Sequence, residues 1–189
     1  MTKNYNYGII LPLKESYLQK SSGAVSIFVN EYLKNSKISN NTIIFTNKLR
    51  GNYLSDNVCE IDGNNTFFSN LNYIKKICKT KFFNNLNHIE IHNRPLYAEY
   101  IKKKFPNKRI TLFLHNTFFN NNSILNNKKK NYLLNNCDSI VFVSNFLKKQ
   151  FFKNLNIKDR NNAHIIYNSV SKINKFNPKK DRSIVFAGK

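Results

Sequence analysis

With 189 residues and a mass of 22.2 kDa, the chain has room for one domain with a substantial core, or for one domain and the start of a second, but not for two full-size domains. Hydrophobic residues at 41% and aromatics at 14% exclude general disorder, and the length excludes a small disulfide scaffold. A net charge of +21 points toward anionic partners, but 26 Lys against 5 Arg, beside 35 Asn, is the skew of an A/T-rich coding sequence; a dedicated nucleic-acid reader would favour Arg.

The charge leaves two readings open: solvated lysine-rich faces, or a basic surface that meets an anionic membrane. Cys59, Cys78 and Cys137 are odd in number and widely spaced, which suggests neither a zinc site nor a disulfide framework and fits a reducing cytoplasm. No apolar run approaches the roughly 18 residues of a spanning helix, and the N-terminal 14 residues have too short an apolar centre for a signal peptide. The expectation is a cytoplasmic protein, soluble or peripheral on the inner face of the plasma membrane.

In chain order, short apolar runs predict strands over 7–11, 42–46, 58–61, 88–92, 109–114, 139–143, 163–166 and 184–187, alternating with segments of helical period. That alternation predicts an α/β fold, a Rossmann-like parallel sheet with helices on both faces. Val25, Phe28, Val29, Tyr32 and Leu33 form one stripe of a helix starting near Gly23. A second helix spans 67–78, with Leu71, Ile74 and Ile77 on one side. A third covers 96–105, with Pro95 at its start, where a missing N–H costs least. Ser144 is a natural N-cap for a fourth, carrying Phe146, Leu147 and Phe151. Asn120–Asn122 and 126–136 read as loop and polar helix face, with Ile124, Leu125, Leu133 and Leu134 as the apolar component. Residues 1–170 are assigned to the Rossmann-like domain and 171–182, polar and basic around Pro178, to a linker. Residues 183–189 read as the first strand of a further domain.

In a parallel sheet, ligands bind beyond the carboxyl ends of the strands. Ser22, Gly23 and Ala24 lie at a helix N-terminus, where free N–H groups could receive a phosphate or carboxylate; a small residue for close helix packing is the other reading. The run is neither GxGxxG nor a Walker loop. His92, Asn93 and Arg94 follow the fourth strand and combine an imidazole, an amide and a guanidinium, a set suited to a polyhydroxylated or anionic ligand; His92 as a strand-end packing residue and Asn93 as a turn former is the other reading. His115 follows the fifth strand, where a histidine titrating near neutrality could donate to a hydroxyl or move a proton. His88 and His164 begin strands, at the wrong edge for ligands, and read as structural. Asp56, Glu60, Asp62 and Glu90 show no spacing that suggests a metal or a carboxylate pair, and no metal is expected.

The order of these motifs resembles the N-terminal domain of the family-four glycosyltransferases, whose GT-B fold sets two Rossmann-like domains face to face. The resemblance is carried by Ser-Gly-Ala-Val-Ser-Ile-Phe-Val-Asn-Glu-Tyr-Leu at 22–33, Ile-Glu-Ile-His-Asn-Arg-Pro at 89–95 and Leu-Phe-Leu-His-Asn-Thr at 112–117. It continues through Cys-Asp-Ser-Ile-Val-Phe-Val-Ser-Asn-Phe-Leu-Lys at 137–148, Ile-Ile-Tyr-Asn-Ser-Val at 165–170 and Ile-Val-Phe-Ala-Gly-Lys at 184–189. Departures are Ser22 for the first glycine of a pair, Val25 or Ser26 for a nearby acidic residue, and Ser169 for the glycine of an Asn-Gly-Val turn.

The resemblance implies retaining transfer of a sugar from a nucleotide-sugar donor, with no cofactor or metal, to a glycan or lipid-linked acceptor of a cell-envelope or polysaccharide pathway such as lipopolysaccharide biosynthesis. It implies donor contacts at Ser22, Gly23 and Ala24, acceptor contacts at His92, Asn93 and Arg94, and a catalytic place for His115 beside the transferred sugar. It also implies a donor-binding C-terminal domain, in cis or in trans, without which transfer is not expected. An anionic membrane surface is an expected partner; a specific nucleic acid is not. The alternative is a non-catalytic basic Rossmann-like module that binds nucleic acid or a protein.

Overall fold

The computed structural model of this chain describes residues 4–63, 69–117, 126–155, 157 and 159–168. The expected linker at 171–182, the strand at 184–187, the segment Asn120–Asn122 with Ile124 and Leu125, and Ser169 and Val170 all lie outside them. Seven strands form one parallel sheet: β1 (Tyr7–Ile10), β2 (Thr42–Asn47), β3 (Val58–Ile61), β4 (His88–His92), β5 (Arg109–Leu114), β6 (Ser139–Phe142) and β7 (Ala163–Ile165), in the order β3-β2-β1-β4-β5-β6-β7. The Rossmann-like α/β expectation is met. Strand limits move by a residue or so. Leu11 still donates its N–H to the Phe45 carbonyl (3.1 Å), but Pro12 follows and has no N–H with which to continue the ladder.

Five helices flank the sheet: α1 (Ala24–Lys34), α2 (Ser69–Cys78), α3 (Pro95–Lys104), α4 (Asn127–Asn136) and α5 (Asn145–Phe152). Right-handed crossovers dictate their sides, because the chain steps one way from β1 to β3 and the other way from β3 onward. One core joins Ile74, Ile77, Tyr97, Ile101, Leu133 and Phe151 of α2–α5 to Ile10, Phe45, Ile91, Leu112 and Phe142 of the sheet. The opposite face is held by α1, whose Val25, Phe28, Val29 and Leu33 pack on Ile9, Leu11, Ile44, Phe113 and Val141. Because side chains alternate along a strand, Ile89 and Ile91 of β4 join the first core, while His88, Glu90 and His92 share the α1 side.

The helix starts follow the sequence closely. Pro95 is the first residue of α3, and Ser144 caps α5, its hydroxyl accepting from the Leu147 N–H at 3.2 Å. Asn126 caps α4 in the same way through Lys129 (2.9 Å), so the Asn-rich run is an amphipathic helix with Leu133 and Leu134 buried. No helix among the described residues is long and apolar enough to cross a membrane.

Candidate functional site at the sheet switch point

Strand order reverses between β1 and β4, so the loops after these two strands diverge and leave a crevice beyond their carboxyl ends. His92 ends β4 opposite Phe113 of β5, and His115 lies two residues beyond Phe113 on the same side of that strand. This diagonal brings the rings together: Nδ1 of His92 is 2.9 Å from Nε2 of His115. Phe113 stacks on His92 with centroids 4.8 Å apart, and Phe28 of α1 meets His115 edge-on at 5.1 Å. The pair therefore stands in a wall of aromatic rings.

Asn93 locks the two strand ends. Its backbone is left-handed at φ 54°, a conformation that asparagine tolerates better than most residues. Its N–H donates to the Phe113 carbonyl (2.8 Å), and its Oδ1 accepts from the His115 N–H (2.7 Å). Arg94, partly buried, turns a guanidinium N–H back to the Asn93 carbonyl at 2.8 Å and leads into Pro95. The expected acceptor-side trio thus divides. His92 has no exposed surface and reaches the crevice only through His115. Asn93 has its Oδ1 engaged with the backbone, and Arg94 keeps further donors.

Burial dominates the electrostatics. The His115 ring is pushed down to about 4 by desolvation, and His92 lies well below the ordinary histidine range through its own burial and the neighbouring ring. The expectation of a histidine titrating near neutrality is corrected: at pH 7 both rings are uncharged, so His115 can hydrogen-bond a ligand only as a neutral imidazole. Behind the pair, Tyr32 of α1 donates its hydroxyl to Glu90 Oε2 at 2.5 Å, and that oxygen is 3.9 Å from His92 Nε2. Burial raises the Glu90 carboxyl, the Tyr32 bond opposes that rise, and the Tyr32 hydroxyl is held well above the usual phenol range. Glu90 has no acidic partner at a spacing that marks a carboxylate pair, so the sequence does not single it out. The usable signal was the alternation His88, Glu90, His92, three polar side chains on one face of a strand whose other face is Ile89 and Ile91.

The loop entering α1 is organised around a residue the sequence did not single out. Glu15 Oε1 accepts the Ser26 N–H at 3.0 Å, and its carboxylate fills the space where any side chain at position 23 would stand. Gly23 is the N-cap residue, so its lack of a Cβ makes room for this carboxylate rather than for close packing of the helix. Ser22 donates its hydroxyl to the Leu18 carbonyl (2.5 Å), and the Gly23 N–H donates to the Ser16 carbonyl (3.0 Å). Ala24 opens the helix. An anionic ligand at these three residues would share the helix end with Glu15.

Elsewhere, His88 Nε2 lies 2.8 Å from the Thr111 hydroxyl inside the sheet, away from the crevice, whereas His164 of β7 is exposed. Cys59, Cys78 and Cys137 are free thiols, and burial pushes Cys78 and Cys137 up to about 12, beyond useful nucleophilicity at neutral pH. Among the described residues no group of three or more His, Cys, Asp or Glu side chains is arranged to hold a metal ion. No protein-family model matches the chain, and none of the curated proteins matches it.

Proposed function

We propose that this chain is the acceptor-side domain of a glycosyltransferase that moves a sugar from a nucleotide-sugar donor to a cell-envelope or polysaccharide acceptor. The observation that carries the reading is the neutral His92–His115 pair at the β1/β4 switch point, where an open α/β sheet binds its ligand. An uncharged imidazole in an aromatic wall suits a hydroxylated, uncharged ring, since it can orient one hydroxyl without a buried charge to compensate. Arg94 beside it suits an acidic group on the acceptor. The ordered series of six sequence motifs supports the same assignment.

In this reading the donor diphosphate is held mainly by a second domain, and His115 orients a hydroxyl near the reacting carbon. The leaving diphosphate and local dipoles stabilise an oxocarbenium-like transition state. The lysine-rich surface brings the enzyme to anionic lipid, at about 1 kcal/mol per well-placed basic residue. The test is a backbone and ring NMR titration of the chain against neutral glycans, acidic glycans, nucleotide sugars and duplex DNA. Saturable shifts confined to Asn93, Arg94, His115 and the start of α1 with a glycan support the reading. Sequence-specific DNA binding with no glycan response overturns it.

A further inference from the structure

Histidine 115 can present either a donor or an acceptor to a ligand, and the choice depends on where its ring proton sits. We infer that Tyr32 and Glu90 fix that choice through His92, so that His115 carries its proton on Nε2 and presents Nδ1 as a hydrogen-bond acceptor. Tyr32 and Glu90 are thus positioning residues that act at a distance from the ligand.

Tyr32 gives its only proton to Glu90 Oε2, and this bond favours the ionised carboxylate, so that oxygen is a negatively charged acceptor. His92 Nε2 lies 3.9 Å from that oxygen, fully buried and without a hydrogen-bond partner. At that distance no hydrogen bond forms, but the field of the carboxylate still discriminates between ring tautomers. An Nε2–H directed at Glu90 is attracted and an Nε2 lone pair is repelled, and the burial of the ring keeps the local dielectric low. The proton of His92 is therefore on Nε2.

His92 Nδ1 is then a bare acceptor. The 2.9 Å contact with His115 Nε2 needs one proton between the two nitrogens, and it must come from His115. A neutral imidazole has a single N–H, so His115 Nδ1 keeps its lone pair. Asn93 holds the backbone of His115 through its N–H, which limits any swing of the ring away from His92. A ligand hydroxyl at His115 would donate to Nδ1 and have its oxygen left free to accept from another group. No proton is transferred in this arrangement, which is consistent with a ring that stays neutral.

The consequence for acceptor orientation rests on the proposed sugar-transfer reading, but the tautomers do not. They are read by two-bond nitrogen–proton NMR correlations on the uniformly labelled full chain at pH 7, without ligand. The expected pattern is Nε2–H on both His92 and His115, with a bias of at least about tenfold. Glu90→Gln keeps the shape and removes the charge, and should reduce that bias severalfold at both rings. Tyr32→Phe keeps the packing of α1 and serves as a second variant, with a change in the same direction. An Nδ1–H form at His115 in the wild type, or a pattern unmoved by E90Q and Y32F in folded protein, would overturn the inference whether or not the protein transfers sugar. The predicted tautomers in a protein that transfers none would leave the inference standing and remove only the functional reading.

Discussion

The carboxylate of Glu15 accepts the Ser26 N–H at 3.0 Å from within the space that a side chain at position 23 would need. Glycine at the start of α1 thereby serves a neighbouring acid. Gly23→Ala should push the flexible Glu15 side chain aside and cost about 1 kcal/mol, the value of one charge-assisted helix cap. In a double-mutant cycle, Glu15→Ala should remove most of that penalty, as judged by urea unfolding. Additive effects would show that position 23 and Glu15 are independent.

Asn93 combines a left-handed backbone with a side-chain acceptor for His115, and two substitutions separate these roles. Asn93→Gly keeps the conformation and loses the bond, with an expected cost of about 1 kcal/mol. Asn93→Ala loses both, at about 2 kcal/mol. Equal costs for the two variants would mean that backbone strain is unimportant there.

Stability should fall on mild acidification. Folding lowers the His92 and His115 affinities for protons, so the unfolded chain takes up protons first as pH drops below about 6.5. The loss continues until the folded rings titrate; for His115, which titrates at about 4, it amounts to about 3 kcal/mol. His88, lowered mainly by burial, has the same sign. Glu90 acts oppositely, because its raised carboxyl binds a proton more tightly when folded and so regains stability at low pH. Thermal melts between pH 7 and 4.5 should show the decline, and His92→Phe, which keeps a ring between Phe28 and Phe113, should make it shallower. A flat wild-type profile would contradict the burial described for this pair.

Ser144 accepts from Leu147 at the start of α5. Ser144→Ala should cost about 1 kcal/mol and leave any sugar binding intact, because the hydroxyl is committed to the cap. Loss of ligand binding in a stably folded S144A protein would give Ser144 a place in the site.

The strands were legible because runs such as Ile110–Leu114 and Ile140–Phe142 supply alternate side chains to two packed faces, and the helix starts because Pro95 and Ser144 punctuate the chain with fixed chemistry. His92, Asn93, Arg94 and His115 were legible as strand-end polar residues. Their contacts were not. The meeting of His92 and His115 depends on the β4–β5 register, and the Tyr32–Glu90 bond depends on where α1 settles over the sheet. Glu15 and Ser26 are eleven residues apart across an irregular loop, which no periodicity describes. The drop of His115 to about 4 likewise comes from tertiary burial, which local sequence does not encode.

The most direct test of the central claim is sugar transfer by the protein as its own cell makes it, with its donor-binding domain present in cis or in trans, assayed with a panel of labelled nucleotide sugars and cell-envelope acceptors, beside His115→Ala and Arg94→Ala. The account predicts transfer by the wild type and at least a roughly tenfold loss of turnover in both variants, the scale of one lost transition-state hydrogen bond or ion pair. Absence of transfer from every donor, or wild-type rates in both variants, would contradict it.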